Sequence, residues 1–372
     1  MKRNILLNPG PATTTDTVKN SLLVPDICPR EKEFGELMKR VMKKLVDVIH
    51  GGPEYTSVIF TGSGTAAIEA CITSVVPHDK KIFIINNGAY GKRMVQIAKI
   101  NKIDCIHYEE AVNKEINLNS IESFLKQNKR EISHLAIVHH ETTTGMLNPV
   151  NEICKISNSF GIECIVDAMS SYAGIPINIK EMNADFLISS SNKCIQGMAG
   201  LSFVISRVSS LDKLNNIPPR SLYLDLLGQF QSLKKTNQMR FTPAVQIFYA
   251  LEQALNEYFE ETAIRRYERY KNSYDVLIRG LKDLGFKLYL PDHLHSKLLT
   301  TIYEPTNSAY SFNEMHDYLY EKGYTIYPGK CNNENTFRIA NIGQIDQTDI
   351  IGFIEKLEAY LIKYGIIGAL YA

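Results

Sequence analysis

The length, composition and charge of the chain exclude several classes of protein. It has 372 residues, 44% of them hydrophobic, and its 41 Lys and Arg against 40 Asp and Glu leave a formal charge of +1. At about 150 residues per domain, this length predicts two or three domains with sizeable cores. The balanced charge offers no electrostatic basis for binding nucleic acid or an anionic membrane surface.

The N-terminal sequence and the cysteines predict a cytoplasmic protein with reduced thiols. Only three apolar residues precede the segment Asn8-Pro9-Gly10-Pro11, which is too few for a secretory signal. No run approaches the roughly 18 apolar residues that a membrane span requires. The seven Cys form no C-x-x-C pair and the nine His form no H-E-x-x-H motif, so we expect neither disulfides nor a metal site.

Short apolar runs recur through the first 250 residues, with helix-length segments between them. Strands that are continuously apolar and alternate with helices predict a largely parallel sheet covered on both faces, and therefore an α/β fold. The predicted strands of this sheet are residues 57–60, 81–85, 103–107, 134–139, 163–167, 186–190 and 201–206.

Beyond Pro243 the pattern changes to longer helical stretches, which run over residues 245–258 and 267–284. Ser311, followed three residues later by Glu314, predicts a capping box that begins another helix, and Gly323 lies where that helix should end. The remaining elements predicted in this part are strands at residues 299–303, 325–327 and 336–340 and a last helix over residues 348–364.

These patterns predict a large α/β domain and a smaller α+β domain. We place the large domain at residues 21–255 and the small C-terminal domain at residues 256–372. Residues 1–20 are expected to form an N-terminal segment that packs on the active site.

A glycine-rich turn, Thr61-Gly62-Ser63-Gly64-Thr65, follows the first strand of the large sheet and opens a helix. Its glycines let backbone amides approach an anion at the positive end of the helix, which predicts a phosphate site. With Ala67 the string also matches G-x-G-x-x-A, so a dinucleotide-dependent oxidoreductase is an alternative. The strand at 81–85, however, lacks the acidic residue that would bind a ribose hydroxyl. A turn without any ligand is a further alternative.

Two side chains of opposite charge, Asp167 and Lys193, are predicted at the carboxyl ends of buried strands. Ligands of open α/β sheets bind outside these ends, so both side chains should enter one crevice. Pyridoxal phosphate (PLP) chemistry needs such a set, with a lysine to form the Schiff base, an acid facing the pyridine nitrogen and an anion site for the phosphate. A structural salt bridge between the two residues is the alternative.

A set of short segments, spread from about residue 5 to about residue 362, forms a recognisable pattern along the chain. The segments are Asn8-Pro9-Gly10-Pro11, Gly62-Ser63-Gly64, Asn87-Gly88-Ala89-Tyr90-Gly91, His139 with Glu141-Thr142-Thr143-Thr144-Gly145-Met146-Leu147-Asn148-Pro149, Val166-Asp167-Ala168-Met169-Ser170-Ser171, Ser191-Asn192-Lys193-Cys194-Ile195-Gln196-Gly197, Arg240-Phe241-Thr242, Tyr327-Pro328-Gly329-Lys330 and Phe337-Arg338-Ile339. Together and in this order they resemble the class V PLP-dependent aminotransferases, and among them the 2-aminoethylphosphonate:pyruvate aminotransferases.

The resemblance implies a PLP-dependent transferase of fold type I, which works as a homodimer with active sites shared between subunits. The implied reaction transfers the amino group of 2-aminoethylphosphonate to pyruvate, giving phosphonoacetaldehyde and L-alanine in phosphonate degradation. The implied roles are Lys193 as the Schiff-base lysine, Asp167 at the pyridine nitrogen, Tyr90 stacked on the cofactor ring, Thr142 near its phenolic oxygen, Ser63, Gly64, Thr65 and Asn192 at its phosphate, and Thr242 reaching that phosphate from the neighbouring subunit.

Arg338 resembles the arginine that binds the substrate anion in this family. A planar guanidinium can bind either a phosphonate or a carboxylate through paired hydrogen bonds, so one cation can serve both substrates. A solvated ion pair on a strand is the alternative for Arg338. Arg240 is a second substrate-binding candidate, although the same position could brace the dimer interface.

The sequence departs from the family pattern at two places. His140 stands where the family has a small residue, and Met198-Ala199 stand where it has a proline. Neither departure touches the roles of Lys193 and Asp167, but His140 lies beside Glu141 and Thr142 and could alter the substrate side of the site. An ordinary surface or core histidine is the alternative for His140, and the sequence favours it.

Other activities within and outside the family stay open on the sequence. Transamination of alanine or serine with glyoxylate is the nearest alternative. Cysteine desulfuration is disfavoured because Asn192, where that branch carries a His, precedes the lysine, although Cys331 in a predicted loop keeps it open. A protein that kept the fold without any cofactor is the remaining class.

Overall fold

A computed structural model describes residues 4–331 and 334–371 of the chain. Its strands, in chain order, are β1 (Ile5–Leu6), β2 (Tyr55–Thr61), β3 (Lys81–Asn86), β4 (Cys105–Glu109), β5 (Ile132–Val138), β6 (His140–Glu141), β7 (Met146–Leu147), β8 (Glu163–Asp167), β9 (Phe186–Ser190), β10 (Leu201–Arg207), β11 (Leu299–Tyr303), β12 (Tyr324–Thr325), β13 (Tyr327–Cys331) and β14 (Glu334–Ala340).

The helices cover the strands on both sides or link them at the surface. In chain order they are α1 (Asp16–Asn20), α2 (Lys32–Asp47), α3 (Gly64–Val75), α4 (Ala89–Ile100), α5 (Leu118–Asn128), α6 (Val150–Ser159), α7 (Ile179–Met182), α8 (Val208–Lys213), α9 (Leu226–Thr236), α10 (Val245–Glu261), α11 (Ala263–Asp283), α12 (Phe312–Glu321) and α13 (Gln347–Lys363).

A seven-stranded sheet in the order β2-β10-β9-β8-β5-β3-β4 forms the centre of the molecule. β10 is antiparallel to both of its neighbours, and the other pairings are parallel. All strands except β10 therefore point the same way, and their carboxyl ends share one edge of the sheet. The predicted α/β fold with a mostly parallel sheet is confirmed.

The predicted strands of the large sheet are all present, with small changes at their ends. The strands at residues 163–167 and 186–190 have the predicted bounds. The strand predicted at 134–139 instead spans residues 132–138, and the N–H of His139 donates to the carbonyl oxygen of Asp167, the residue that pairs with Val138, at 2.8 Å. The strand predicted at 103–107 is instead shifted to β4, whose residues pair in register with β3.

A second, three-stranded sheet in the order β11-β14-β13 lies in the C-terminal part. The single strand predicted at 325–327 is two strands, because Tyr324 and Thr325 pair with β1 whereas Tyr327 pairs with Arg338 of β14. The predicted helix starts at Ser311, whose side chain accepts a hydrogen bond from the N–H of Glu314 at 3.4 Å. Gly323 follows that helix in the left-handed region at φ 91°.

Two main hydrophobic cores underlie the two sheets. The first extends from Phe34 to Tyr258, and the second joins Ile5 and Leu7 to residues as far as Leu370. The predicted boundary at residue 255 falls inside α10, which contributes to the first core, so the division into domains stays a prediction. No helix in the described ranges is long and apolar enough to cross a membrane.

Candidate active site

The carboxyl-end edge of the large sheet brings the two main candidate residues together. Asp167 is the last residue of β8, and Lys193 follows the end of β9 by three residues. β8 and β9 are parallel neighbours, so both side chains leave the sheet at the same edge. The turn that begins α3 lies at this edge too, because two antiparallel pairings through β10 make β2 point the same way as β9.

Asp167 is a buried carboxylate with one oxygen that lacks a protein donor. Its Oδ1 accepts a hydrogen bond from the N–H of Met169 at 2.9 Å, whereas Oδ2 has no partner among the described residues. Burial raises the pKa of Asp167 to about 6, the negative charge of Glu141 adds to the rise, and Arg93 and Lys193 oppose it. An unpaired buried acceptor costs roughly 1–3 kcal/mol, so Oδ2 suits a ligand that brings a proton donor.

Lys193 is a partly buried amine that does not form a salt bridge with Asp167. Its Nζ donates a hydrogen bond to the carbonyl oxygen of Pro9 at 2.6 Å, and none of the ion pairs in the described part of the chain includes Lys193 or Asp167. Burial lowers the pKa of Lys193 to about 8, while Cys194 and Asp167 limit the fall. The alternative of a structural salt bridge between Asp167 and Lys193 is therefore wrong.

The N-terminal segment passes directly over the lysine. A Cβ on Gly10 would lie 2.5 Å from the Lys193 Nζ, so only glycine fits this close approach, and its φ of 140° also favours glycine. The N–H of Ala12 donates to the carbonyl oxygen of Asn192 at 3.0 Å. Further on, the N–H of Gln344 donates to the carbonyl oxygen of Thr13 at 2.8 Å. Residues 9–13 thus lie between the loop that carries Lys193 and the three-stranded sheet.

The predicted phosphate turn is open and adjoins a cation that the sequence analysis did not select. Ser63 is the exposed residue before α3 and uses no side-chain oxygen to cap it. Thr65 Oγ1 accepts a hydrogen bond from Nη1 of Arg93 at 3.4 Å. The Arg93 guanidinium lies 4.8 Å from the centre of the Tyr90 ring. A Cβ on Gly64 would lie 2.3 Å from the sulfur of Met169, which keeps the turn close to the strand end after Asp167.

A buried glutamate, Glu141, holds the start of α4 and with it Tyr90. Its Oε2 accepts a hydrogen bond from the N–H of Tyr90 at 3.3 Å, and Oε1 accepts from the N–H of Thr143 at 3.0 Å. The Thr143 hydroxyl in turn accepts from the N–H of Ala89 at 2.9 Å. Burial raises the pKa of Glu141. Gly88 leaves the necessary space, because a Cβ there would lie 2.3 Å from the Glu141 carboxyl carbon.

Arg338 reaches the same edge from the small sheet. Its Nη1 donates to the carbonyl oxygen of Thr142 at 3.0 Å and its Nη2 to that of Pro328 at 3.1 Å. Nε is buried and has no partner among the described residues. The guanidinium lies 5.0 Å from the centre of the Tyr327 ring. Arg338 forms no carboxylate pair within the described ranges, so the alternative of a solvated ion pair is wrong.

For the side chains of Asn192, Thr242 and Arg240, the contacts are to residues outside the candidate site or the side chain is exposed. Asn192 lies beside the lysine, and its Oδ1 accepts from the Ser190 hydroxyl at 2.9 Å. Arg240 pairs with Asp225, whose Oδ2 is 2.9 Å from its Nη1, rather than approaching Lys193 of its own chain. Thr242 is exposed. The roles assigned to these residues stay predictions.

Three residues of this edge were not selected as site residues from the sequence, namely Arg93, His139 and Glu141. Arg93 lies one helical turn after Tyr90, and this i, i+3 spacing on α4 is a signal that could have revealed it. His139 follows β5, and burial lowers its pKa to about 3. Glu141 was visible only as part of a family segment, since nothing in the sequence shows that it is buried against Tyr90.

The predicted loop position of Cys331 is wrong. Cys331 lies in β13, where it is buried and pairs with Glu334 of β14. Its Sγ donates to the carbonyl oxygen of Thr143 at 3.1 Å, and burial raises the pKa of the thiol. A buried thiol with a raised pKa is a poor nucleophile, which removes the observation that kept cysteine desulfuration open.

Comparisons with known proteins show what the chain is similar to. The family model of aminotransferase class V matches residues 23–330. A 2-aminoethylphosphonate--pyruvate transaminase of Vibrio vulnificus is 41% identical over 358 residues, which cover 95% of this chain and 97% of that protein. The enzyme of the same name from Bacillus cereus is 40% identical over 356 residues, covering 95% of this chain and 96% of that protein.

A solved structure shows the same fold at lower sequence identity. The ureidoglycine-glyoxylate aminotransferase of Bacillus subtilis superposes with a TM-score of 0.90 at 21% identity, covering 99% of this chain and 96% of that one. This likeness establishes the fold, whereas the family model and the 40–41% identical relatives establish the family. The chain belongs to the class V aminotransferase family.

Proposed function

We propose that this chain uses pyridoxal phosphate to transfer the amino group of 2-aminoethylphosphonate to pyruvate, releasing phosphonoacetaldehyde and L-alanine. The observation that carries the proposal is the shared edge of the sheet, where the amine of Lys193, the unpaired oxygen of Asp167 and the turn that opens α3 all lie. The names of the 40–41% identical relatives support the substrates. Such an activity belongs to phosphonate degradation.

The residues at this edge fit pyridoxal phosphate. Asp167 offers Oδ2, the buried acceptor that lacks a donor, to the protonated pyridine nitrogen. The start of α3 offers backbone amides and the positive end of a helix to the phosphate. When bound, the cofactor supplies an electron sink for the substrate carbon next to the nitrogen. The residues proposed to hold it are Ser63, Gly64, Thr65, Tyr90, Thr142, Asp167, Asn192 and Lys193, with Thr242 from a second copy.

Lys193 is the residue proposed to carry the cofactor and to move the proton. Because burial lowers the pKa of Lys193 to about 8, more of its amine is neutral near physiological pH than in an ordinary lysine, which favours its action as a base. Nζ can take a proton from the substrate carbon that bears the amino group and later return one. The carbonyl oxygen of Pro9 accepts a hydrogen bond from Nζ and so holds the amine in the site between these steps.

Asp167 is proposed to keep the cofactor nitrogen protonated. Its own pKa is raised because its surroundings cannot solvate the charge. A cation at Oδ2 would provide the missing partner and favour the ionised carboxylate. The carboxylate and the cation thus stabilise each other, which is the electrostatic condition for an effective electron sink.

Arg338 is proposed to bind the anionic end of both substrates. Its guanidinium is held in place by two backbone carbonyls, from Thr142 and Pro328, and is not neutralised by a carboxylate within the described ranges. It therefore keeps its full charge for a phosphonate or a carboxylate. Arg240, which pairs with Asp225, is proposed as a second residue for the substrate anion, acting from a loop that we expect to face a second copy.

We further propose a cytoplasmic homodimer with shared active sites. Leu222 and Tyr223 expose 72% and 41% of their surfaces, and the Tyr223 ring stacks on Phe241, next to Thr242. An exposed apolar group beside a residue that should reach a phosphate suits a contact with a second copy. We propose small molecules as the substrates.

A substrate panel tests the proposed function. Purified protein is supplied with pyridoxal phosphate, one amino donor and one keto acid, and product formation is followed while the absorption spectrum is recorded. We expect 2-aminoethylphosphonate with pyruvate to form alanine faster than any other pair. Faster turnover of alanine or serine with glyoxylate would replace the proposed substrates, and absence of a visible chromophore that borohydride bleaches would reject the cofactor.

A further inference from the structure

Residues 140–145 comprise β6 and the turn that leads to β7, and they lie between the large sheet and the three-stranded sheet. We call this line of contact between the two sheets the seam. The carbonyl oxygens of residues 140–145 accept hydrogen bonds from the small-sheet side, with Thr142 accepting from Arg338 at 3.0 Å, Thr143 from the Thr301 hydroxyl at 3.3 Å and Gly145 from the N–H of Ser296 at 2.9 Å. The position of the small sheet relative to Lys193 therefore depends on contacts along this seam.

His140 adds a side-chain contact across the same seam. The buried ring places Nδ1 3.2 Å from the carbonyl oxygen of Ser170 and Nε2 2.8 Å from the hydroxyl oxygen of Ser296. A carbonyl oxygen can only accept, so Nδ1 carries the hydrogen. Burial lowers the pKa of His140 to about 4, so the ring is neutral and Nε2 accepts from the Ser296 hydroxyl. The Ser296 oxygen then accepts from the N–H of Leu298 at 3.2 Å.

Each end of this hydrogen-bond chain leads to a different part of the site. Ser170 follows Asp167 by three residues, and its carbonyl oxygen also accepts from the thiol of Cys194 at 3.4 Å, the residue next to Lys193. Ser296 precedes β11 by three residues, and Thr301 of β11 pairs in register with Arg338. His140 therefore links the lysine and aspartate side of the site to the strand pair that carries Arg338.

We propose that His140 is a positioning residue that holds the sheet carrying Arg338 at its place relative to Lys193 and Asp167, and so strengthens binding of the substrate anion. Both ring nitrogens are occupied by Ser170 and Ser296, so His140 itself does not contact substrate. The inference rests on the proposed role of Arg338 in the proposed function. It predicts a loss of anion affinity rather than a loss of the chemical step when the link to Ser296 is removed.

Three substitutions separate the two hydrogen bonds of His140. In Ser296→Ala the cross-seam bond is lost and the Ser170 bond is kept. In His140→Asn the shorter amide can reach Ser170 but not Ser296. In His140→Gln the longer amide can reach Ser296. Ser273→Ala is the matched control, because the Ser273 hydroxyl is buried and has no partner among the described residues.

The experiment measures the KM for 2-aminoethylphosphonate, kcat, and the Kd of methylphosphonate by calorimetry, all on cofactor-loaded protein. We expect Ser296→Ala and His140→Asn to raise KM and Kd about fivefold, with kcat within about twofold of the parent, because one neutral hydrogen bond is lost. His140→Gln and Ser273→Ala should stay near the parent values. The Ser296→Ala/His140→Asn double variant should be no worse than either single variant.

Several results would overturn the proposal. They are an unchanged Kd in Ser296→Ala, equal defects in His140→Asn and His140→Gln, and independent, multiplying effects in the double variant. A parent protein that binds no methylphosphonate would also overturn it, since there would be no anion site to position. If the parent binds methylphosphonate but forms no alanine, the proposed function fails while the Kd values still decide the role of His140.

Discussion

The two ends of strand β8 carry carboxylates in opposite electrostatic situations. Glu163, the first residue, lies 3.2 Å from Nε2 of His134, and its Oε1 accepts from Nζ of Lys213 at 2.5 Å. Although burial alone would raise it, these contacts lower the pKa of Glu163 to about 2. Asp167, the last residue, has one unpaired oxygen and a pKa raised to about 6. Only three residues therefore separate a carboxylate with side-chain partners from one with an unpaired oxygen.

The comparison shows how a structural charge cluster differs from a site. At the amino end of β8 the chain itself supplies partners for the carboxylate, since Lys213 and Ser210 donate to Oε1 and His134 lies beside Oε2, so this cluster contributes to the fold. At the carboxyl end the chain buries the Asp167 carboxylate and leaves one of its oxygens without a partner. This burial destabilises the folded protein when no ligand is bound, but it leaves Oδ2 able to bind a cation. The following predictions test this difference.

Substitution of Lys193 should change the rate of alanine formation more than any other substitution, whereas substitution of Lys213 should not change it. Lys193→Ala should lower the rate of alanine formation by at least about a thousandfold and abolish the visible absorbance of the bound cofactor, because no amine is left to bind the aldehyde or to move the proton. Lys213→Ala is the control at the other end of β8 and should keep the parent rate within about twofold. Equal loss of activity in both variants would remove the distinction.

The two carboxylates should differ in the same way. Asp167→Asn is expected to lower kcat about a hundredfold or more, because a neutral amide cannot stabilise a protonated pyridine nitrogen. Glu163→Gln should leave kcat near the parent value. Steady-state kinetics with saturating cofactor measure both. A kcat that is unchanged in Asp167→Asn would argue against the role of this carboxylate.

The same pair should change stability in opposite directions when no cofactor is bound. The pKa of Asp167 is raised in the folded state, so its charged form destabilises the protein above pH 6, and Asp167→Asn should increase the free energy of unfolding at pH 7.5 by up to about 3 kcal/mol. The pKa of Glu163 is lowered, so Glu163→Gln should decrease it by up to about 3 kcal/mol. Denaturant unfolding measures both. Shifts of the same sign would contradict the comparison.

Glu163 should account for part of the loss in the free energy of unfolding at acid pH. Its stabilising contribution is complete above its unfolded pKa of 4.5 and is lost as the pH falls through the folded pKa of about 2. The parent should therefore lose more stability than Glu163→Gln between pH 4.5 and 2. Thermal melting of the two proteins across that range is the measurement, and parallel curves would be the unfavourable result.

The smallest expected effect is that of Lys213→Ala on stability. The side chain of Lys213 is 65% exposed, so its ion pair with Glu163 is screened by solvent. We expect a decrease of less than about 1 kcal/mol in the free energy of unfolding, further reduced at high salt. A decrease as large as that of Glu163→Gln would show that Lys213, rather than His134, supplies most of the stabilisation.

Much of this site could be predicted from the sequence because it is made of strand ends. An apolar run with a charged residue at its end or shortly after it predicts both a buried strand and the edge at which the residue emerges, as for Asp167 and Lys193. Arg93, Glu141 and His139 were not selected, since their contribution depends on what packs against them. Glu141 lies in a hairpin that follows Tyr90 by about 50 residues in sequence. Only the packing of this hairpin against the start of α4 buries the Glu141 side chain.

Hydrophobic periodicity and turn residues are local properties, so the α/β fold, the order of the strands along the chain and the residues at their carboxyl ends could be predicted from the amino-acid sequence. Three contacts could not be predicted in this way: Lys193 donates to the carbonyl oxygen of Pro9 and forms no ion pair with Asp167, Cys331 is buried in a strand, and His140 joins Ser170 to Ser296. These contacts connect segments far apart in sequence, and hydrogen bonds between such segments depend on how the two sheets pack.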